Sequence, residues 1–142
     1  ADVTGACDIQ ADQVDRKKQQ FNVLKFRTMY EGSENESGPV LSGRADPRIT
    51  KVGRVLRNFR LDELPQLFNV LKGDMSFVGP RPERPYFVEQ FSKEIPEYDY
   101  RYLVKAGITG YAQIHGKYDT SPMDKLKYDL LYIKDSTENK AV

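Results

Sequence analysis

Arg54-Val55-Leu56-Arg57-Asn58-Phe59-Arg60-Leu61-Asp62-Glu63-Leu64-Pro65-Gln66-Leu67 is the stretch from which the rest of the chain is read. Its centre is the adjacent acidic pair Asp62 and Glu63, with three arginines just upstream. Leu64, Leu67, Phe68 and Leu71 recur at helical spacing, so a helix is expected to begin near the acids. Proline is tolerated in a first helical turn, where the backbone N–H has no intrahelical partner, but not deeper. Pro65 therefore places Asp62 and Glu63 at the helix N-terminus, where free N–H groups and the helix dipole favour negative charge. An ionised Asp62 held there can serve as a nucleophile. Taken alone, the stretch is more simply read as two first-turn acids that stabilise their helix.

The bulk numbers set the frame. A chain of 142 residues suits one domain. With 39% hydrophobic and 30% charged residues it can bury a core while staying on the polar side. A net charge of +1 gives no global field to draw in nucleic acid, so local basic clusters matter more than the total. The single cysteine, Cys7, excludes an intrachain disulfide and offers no metal-site spacing. No apolar run approaches the roughly 18–20 residues of a membrane-spanning helix. The polar, acidic beginning does not read as a signal peptide.

Upstream of the central stretch, residues 1–20 carry few large apolar side chains and predict only a loose strand or arm around Val3, Ile9 and Val14, then a charged turn. Phe21 to Met29 alternates as a half-buried strand. With a local break at Leu24, Phe21, Val23, Phe26 and Met29 face inward, and Lys25 and Arg27 lie on the other face. Both basic residues suit a phosphate, lysine as a point charge and arginine as a fork, although a solvated strand face explains them equally well. Residues 30–48, rich in Gly, Ser, Asn and Pro, predict a long surface loop that could act as a flap. Thr50 is the expected N-cap of a short helix carrying Val52, Val55 and Leu56. That helix brings Arg57 near the acids, where a simple salt bridge to Asp62 is the plainer alternative to a shared site.

Downstream, the helix is expected to run to Lys72, with Gly73 as its left-handed terminator. Gly79, Pro80, Pro82 and Pro85 fix the backbone on either side of Arg81, so that this side chain is presented at low entropy cost. Two short helices follow, over 86–91 and 95–104, with Phe87, Val88, Phe91, Tyr98, Tyr102 and Leu103 packing inward and Arg101 on an amphipathic surface. Residues 105–116 read as loop, strand and loop, with the lone His115 structural or exposed rather than a base. Ser121 or Asp119 caps a last helix with Pro122 at its first position; Met123, Leu126, Leu130 and Ile133 line one face, with Asp129 on its flank. A polar tail closes the chain from about residue 135.

In combination these blocks resemble the bacterial sugar transferases, the monotopic polyprenyl-phosphate phosphoglycosyl transferases. The resemblance rests on Leu24-Lys25-Phe26-Arg27-Thr28-Met29, Asp46-Pro47-Arg48-Ile49-Thr50, Gly53-Arg54-Val55-Leu56-Arg57, and Leu61-Asp62-Glu63-Leu64-Pro65-Gln66-Leu67 with its continuation to Ser76. It continues in Val78-Gly79-Pro80-Arg81-Pro82-Glu83, Lys105-Ala106-Gly107-Ile108-Thr109-Gly110-Tyr111-Ala112-Gln113 and Tyr128-Asp129-Leu130-Leu131-Tyr132-Ile133. It covers about residues 21–134, and several ordered motifs are far more specific than any one of them.

The resemblance implies an α/β fold in α+β arrangement, small and mainly helical with few short strands, forming a single catalytic domain over 1–142 with a weakly matching lead-in over 1–20. It implies transfer of a sugar phosphate from a nucleotide sugar, usually a UDP-sugar, to polyprenyl phosphate in glycoconjugate or exopolysaccharide assembly. Asp62 would then be the nucleophile that forms a covalent phosphosugar-enzyme, and Glu63 would help to hold Mg²⁺. Arg57 and Arg81 match phosphate-binding arginines, and Lys25, Arg27 and Asp129 fall in motifs tied to the active site. The family carries an N-terminal membrane-dipping segment, and no counterpart of it is expected in this chain. The resemblance implies that the parent protein works at the membrane surface, on the cytoplasmic face of the bacterial inner membrane, while this chain is expected to behave as a soluble domain. A non-catalytic nucleotide- or partner-binding module on the same scaffold is the alternative.

Overall fold

Antiparallel pairing of β1 (Cys7–Val14) with β2 (Gln20–Phe26) begins the fold in the computed structural model, which describes residues 7–14 (backbone), 20–33, 35, 46–117 and 120–138. Ile9 lies opposite Leu24 and Gln10 opposite Val23, and the register shifts between Gln10 and Gln13. The lead-in thus contributes a full strand where only a loose one was expected. β2 stops at Phe26, and Met29 instead makes an isolated bridge to Ile49. Most of the expected flap, 34 and 36–45, and the charged turn over 15–19 lie outside the described residues.

Thr50 caps α1 (Lys51–Asn58): its Oγ1 accepts from the Gly53 N–H at 2.9 Å, as expected from sequence. The Thr50 N–H also donates to the Thr28 carbonyl at 2.9 Å, which pins the start of α1 to the chain beyond β2. A Cβ on Gly53 would sit 2.1 Å from that same Thr28 oxygen, so only glycine permits the approach.

The chain then reverses at Arg60, the one described non-glycine residue with positive φ, at 55°. A left-handed conformation costs an L-residue with a Cβ roughly 1–2 kcal/mol. Beyond it Leu61–Glu63 form a 3₁₀ turn, and α2 (Gln66–Lys72) starts only after Pro65. The acids therefore occupy their own tight turn one step ahead of α2, rather than its first turn. The left-handed residue makes the difference, because it breaks the helical path before the acids. Gly73, at φ 87°, terminates α2 as expected.

Asn69, 1% exposed, fixes α2 against β2. Its Oδ1 accepts from the Leu24 N–H at 3.0 Å and its Nδ2 donates to the Asn22 carbonyl at 2.7 Å, so one side chain satisfies two backbone groups of β2. Orphaning buried polar groups costs about 1–3 kcal/mol each. Asn69→Leu is therefore expected to lose about 2–4 kcal/mol of unfolding free energy, read from denaturant midpoints at constant slope. A loss below that range would mean that another contact holds β2 to α2.

β3 (Ser76–Val78) and β4 (Gly107–Thr109) pair in parallel, Ser76 opposite Gly107 and Val78 opposite Thr109. Parallel strands need a long crossover; here it is α3 (Pro85–Glu94) and a 3₁₀ segment, Pro96–Leu103. With three residues per turn, Ile95, Tyr98 and Arg101 share a face. Arg101 is consequently turned inward and Leu103 outward, the reverse of the expectation from an α-helical period. β4 is followed by α4 (Tyr111–His115), a short helix where a loop was expected. His115 is exposed and stacks on Tyr128.

α5 (Pro122–Glu138) closes the described fold, with the Ser121 Oγ accepting from the Asp124 N–H at 3.1 Å as its cap. It runs past the expected start of the tail, and the Ser136 and Thr137 hydroxyls both donate to the Ile133 carbonyl. Asp119 lies outside the described residues. Leu126 joins Ile95, Tyr98 and Tyr102 in the core, with Val88, Phe91 and Leu130 packed around it. Met123, expected on that face, is exposed. The arrangement is the expected small α+β domain.

Candidate active site

β2 alternates without the break expected at Leu24, so Lys25 lies on the same face as Phe21 and Val23. That face meets the acidic turn. Lys25 Nζ stands 3.3 Å from Asp62 Oδ2 and 3.6 Å from Glu63 Oε1. Both acids are buried, Asp62 at 3% exposure and Glu63 at 8%. Arg81 Nη2 donates to the same Glu63 Oε1 at 2.6 Å. Arg60 Nη1 is 3.9 Å from Glu63 Oε2. Two carboxylates are thus ringed by three cations from β2, the reversal before the acidic turn and the Gly79–Pro82 bend.

Burial opposes the charged form of Glu63, but Arg81, with Lys25 and Arg60 behind it, outweighs burial and holds the carboxyl below its usual range. The cations balance the carboxylates while leaving excess positive charge, which suits an incoming phosphate.

Behind Arg81 is a second charged group. Arg101, 5% exposed, donates from Nη1 to the Tyr98 hydroxyl and from Nη2 to the Arg81 carbonyl at 2.7 Å. The same Nη2 lies 3.0 Å from Asp129 Oδ2. Asp129 is therefore in the interior, at 2% exposure, and not on a helix flank. Burial pushes its carboxyl up to about 6; Arg101, shared among three acceptors, offsets this only in part, and Glu83 adds to the rise. A raised carboxyl contributes stability that is complete below its ordinary 3.8 and is lost as pH rises through about 6. The unfolding free energy of the protein minus that of Asp129→Asn is accordingly expected to fall over that window and level off above it. A pH-independent difference in denaturant titrations would contradict the assignment.

The structure brings Lys25, Asp62, Glu63 and Arg81 together, and joins Asp129 to them through Arg101 and the Arg81 backbone. Arg57, on α1, donates from Nε to the buried Thr28 hydroxyl at 2.9 Å. Arg27 is exposed, with Nη1 3.8 Å from Glu31 Oε1. Sequence reasoning missed Arg60 and Gln113 and misplaced Arg101. A three-residue period would have turned Arg101 inward, whereas the backbone reversal at Arg60 has no local signal.

Two cavities flank the Glu63–Arg81 pair. One, about 270 Å³, is lined by Glu63 and Arg60 with Leu64, Leu67, Ile108 and Ile114. The other, about 320 Å³, is lined by Arg81, Glu83, Arg101, Lys125 and Asp129 with Tyr98. Gln113 lines both.

The donor set also bears on a divalent cation. Among the described residues no three His, Cys, Asp or Glu side chains cluster as a metal cage. Mg²⁺ does not require one, since it takes one or two carboxylates with phosphate oxygens and water. Glu63 keeps Oε2 beyond hydrogen-bond reach of Arg60, and Asp62 is adjacent, so these residues fit such an ion shared with a phosphate.

The family model described as bacterial sugar transferase matches residues 4–139, further at both ends than the motif blocks reached. The UDP-N-acetylgalactosamine-undecaprenyl-phosphate N-acetylgalactosaminephosphotransferase of Aeromonas hydrophila is 47% identical over 126 residues, 87% of this chain and 30% of that protein. A UDP-glucose:undecaprenyl-phosphate glucose-1-phosphate transferase of Caulobacter vibrioides is 50% identical over 98 residues, 68% of this chain and 36% of that protein. One of the same name from Escherichia coli K12 is 46% identical over 120 residues, 81% of this chain and 26% of that protein. The chain therefore spans roughly a third of the length of these relatives. With its fold, its acidic turn and these matches taken together, the chain belongs to the bacterial sugar transferase family.

Proposed function

We propose that this chain is a catalytic domain that transfers a sugar phosphate from a UDP-sugar to polyprenyl phosphate through a covalent intermediate on Asp62. The observation that carries the reading is the buried Asp62–Glu63 pair ringed by Lys25, Arg60 and Arg81. The two acids are not equivalent. Glu63 Oε1 is taken up by Arg81 at 2.6 Å, whereas the contact to Asp62 is the longer one from Lys25 at 3.3 Å. Asp62 is thus the less restrained carboxylate and the better nucleophile.

In the first step an Asp62 oxygen attacks the phosphorus that carries the sugar. The phosphoanhydride bond breaks, and UMP leaves with the bridging oxygen and its electron pair. In the second, a polyprenyl phosphate oxygen attacks the same phosphorus and the bond to Asp62 breaks, which restores the carboxylate. Charge on phosphoryl oxygens is the main obstacle in such transfers, so prearranged cations supply most of the catalysis. Lys25 and Arg81, beside the two acids, would supply that charge. A Mg²⁺ ion held by Glu63, with Asp62 beside it, would neutralise diphosphate charge when bound.

The acceptor places the work at a membrane surface. No helix among the described residues is long and apolar enough to cross a bilayer. Instead, α1 and α2 leave Val52, Val55, Phe59, Phe68 and Leu71 exposed, Leu71 at 81%, beside exposed Lys51, Arg54 and Lys72. Exposed apolar residues with basic neighbours suit an anionic lipid interface.

Screening UDP-sugars for UMP release tests the reading, and removal of divalent cation by EDTA is expected to stop release, with Mg²⁺ restoring it. Release that persists in EDTA would remove the metal from the account. UDP binding without release from any UDP-sugar would favour a non-catalytic module.

A further inference from the structure

The larger cavity carries charged groups that the fold leaves unpaired. Among the described residues the Glu83 carboxylate makes no hydrogen bond or ion pair, and neither does the Lys125 ammonium, although both side chains are half-buried and line this cavity. The guanidinium groups nearby are engaged elsewhere. Arg81 donates to Glu63, and Arg101 serves Asp129, the Tyr98 hydroxyl and the Arg81 carbonyl. Glu83 is nevertheless close enough for its charge to act on Arg81, Arg101 and Asp129. Pro82 and Pro85 restrict the backbone on both sides of it, so the carboxylate is presented from a rigid stretch. An ionised carboxylate only accepts hydrogen bonds, with about four lone-pair sites, so a ligand that satisfies Glu83 must bring donors.

We infer that Glu83 is a sugar-recognition residue, its carboxylate accepting from two adjacent hydroxyls of the donor's sugar in the larger cavity; this rests on the transfer reading above. The parts of a UDP-sugar differ in what they can offer. Phosphate oxygens are acceptors and would be repelled, and uracil brings a single N–H. The sugar and the ribose each bring adjacent hydroxyls, which donate to a carboxylate and accept from an ammonium such as Lys125. Position separates those two. Arg81, bonded to Glu63 beside the nucleophile, also lines this cavity. The sugar is one oxygen away from the phosphorus that Asp62 attacks, whereas the ribose lies beyond the leaving phosphorus. Phe91 and Tyr98 add an aromatic wall for the C–H face of a sugar ring. A volume of about 320 Å³ is at the small end for ligand pockets and suits one sugar ring rather than a whole nucleotide sugar.

The test is calorimetric binding, in Mg²⁺, of UDP-glucose, UDP-galactose and UDP-N-acetylgalactosamine analogues in which a methylene replaces the oxygen between the phosphorus atoms. These cannot be cleaved at that bond, so binding is read without chemistry. UDP with the same methylene bridge is the control that lacks the sugar. Glu83→Ala removes a carboxylate with no partner among the described residues, so it is expected to melt with the parent protein. It is expected to weaken the tightest-binding sugar analogue about tenfold or more, equivalent to about 1.4 kcal/mol, and not to weaken the UDP analogue. Glu83→Gln, which keeps the size and one acceptor oxygen, should lose less. Equal weakening of the UDP analogue would put the ribose on Glu83 and overturn the inference. Sugar-analogue binding that is unchanged or tighter in Glu83→Ala would reduce Glu83 to a source of field and overturn it too, as would a parent protein that binds none of the analogues. UMP release from ordinary UDP-sugars by the parent protein scores the transfer reading separately. Release together with unweakened binding in Glu83→Ala overturns the sugar contact alone. Selective weakening without release supports the contact and removes the transfer chemistry.

Discussion

Asp62→Asn is expected to abolish UMP release from a UDP-sugar, a fall of about 10³-fold or more in turnover, because the carboxamide cannot form the phosphoryl ester. The substitution preserves shape, and Lys25 keeps the Glu63 carboxylate at 3.6 Å as a counter-charge, so the fold should survive it. The comparison that gives the result meaning is a thermal melt of the variant beside the parent protein. A well-folded Asp62→Asn that still turns over at the parent rate would end the covalent mechanism. A fold that collapses would instead mark Asp62 as a structural acid held by Lys25.

Arg101→Met carries the second large effect, and it falls on stability. Arg101 serves Asp129, the Tyr98 hydroxyl and the Arg81 carbonyl from a buried position. Removing one partner of a buried ion pair costs about 3–5 kcal/mol, because the other charge is left uncompensated. The loss should be smaller at acid pH, where Asp129, already raised to about 6, takes up a proton. Arg101→Met combined with Asp129→Asn should recover part of the loss, a coupling of about 0.5–3 kcal/mol in a double-mutant cycle. Additive effects would mean that the two side chains are not energetically linked. Arg101→Met should also reduce UMP release in variant that remains folded, since the backbone that aims Arg81 at Glu63 would be unanchored.

Several features of this fold follow from short-range chemistry, and those were legible in the chain. Thr50 as a cap, Gly73 as a terminator and Ser121 before Pro122 are local devices, and each lies where the residue type placed it. Asp62, Glu63 and Arg81 were singled out by the family resemblance, since the stretch alone read more simply as a capped helix; the structure brings them together, with the acids in their own 3₁₀ turn ahead of α2. Local pattern was silent where the decisive interaction is distant or the period unusual. Lys25 was placed on the wrong face because its partners, Asp62 and Glu63, lie far along the chain and reward an uninterrupted alternation. Arg101 and Leu103 exchanged roles because a 3₁₀ segment repeats every three residues. The apolar spacing of Leu64, Phe68 and Leu71 announced a helix correctly, yet those side chains face outward. Periodicity identifies an apolar face, not what covers it.

Covalent participation of Asp62 is the claim on which the rest depends, and intact-protein mass spectrometry after incubation with a UDP-sugar and Mg²⁺ tests it most directly. The account predicts an added mass equal to one sugar phosphate, absent from Asp62→Asn and lost again when polyprenyl phosphate is supplied. UMP release with no adduct under quench conditions that preserve an acyl phosphate, or an adduct that persists in Asp62→Asn, would contradict it.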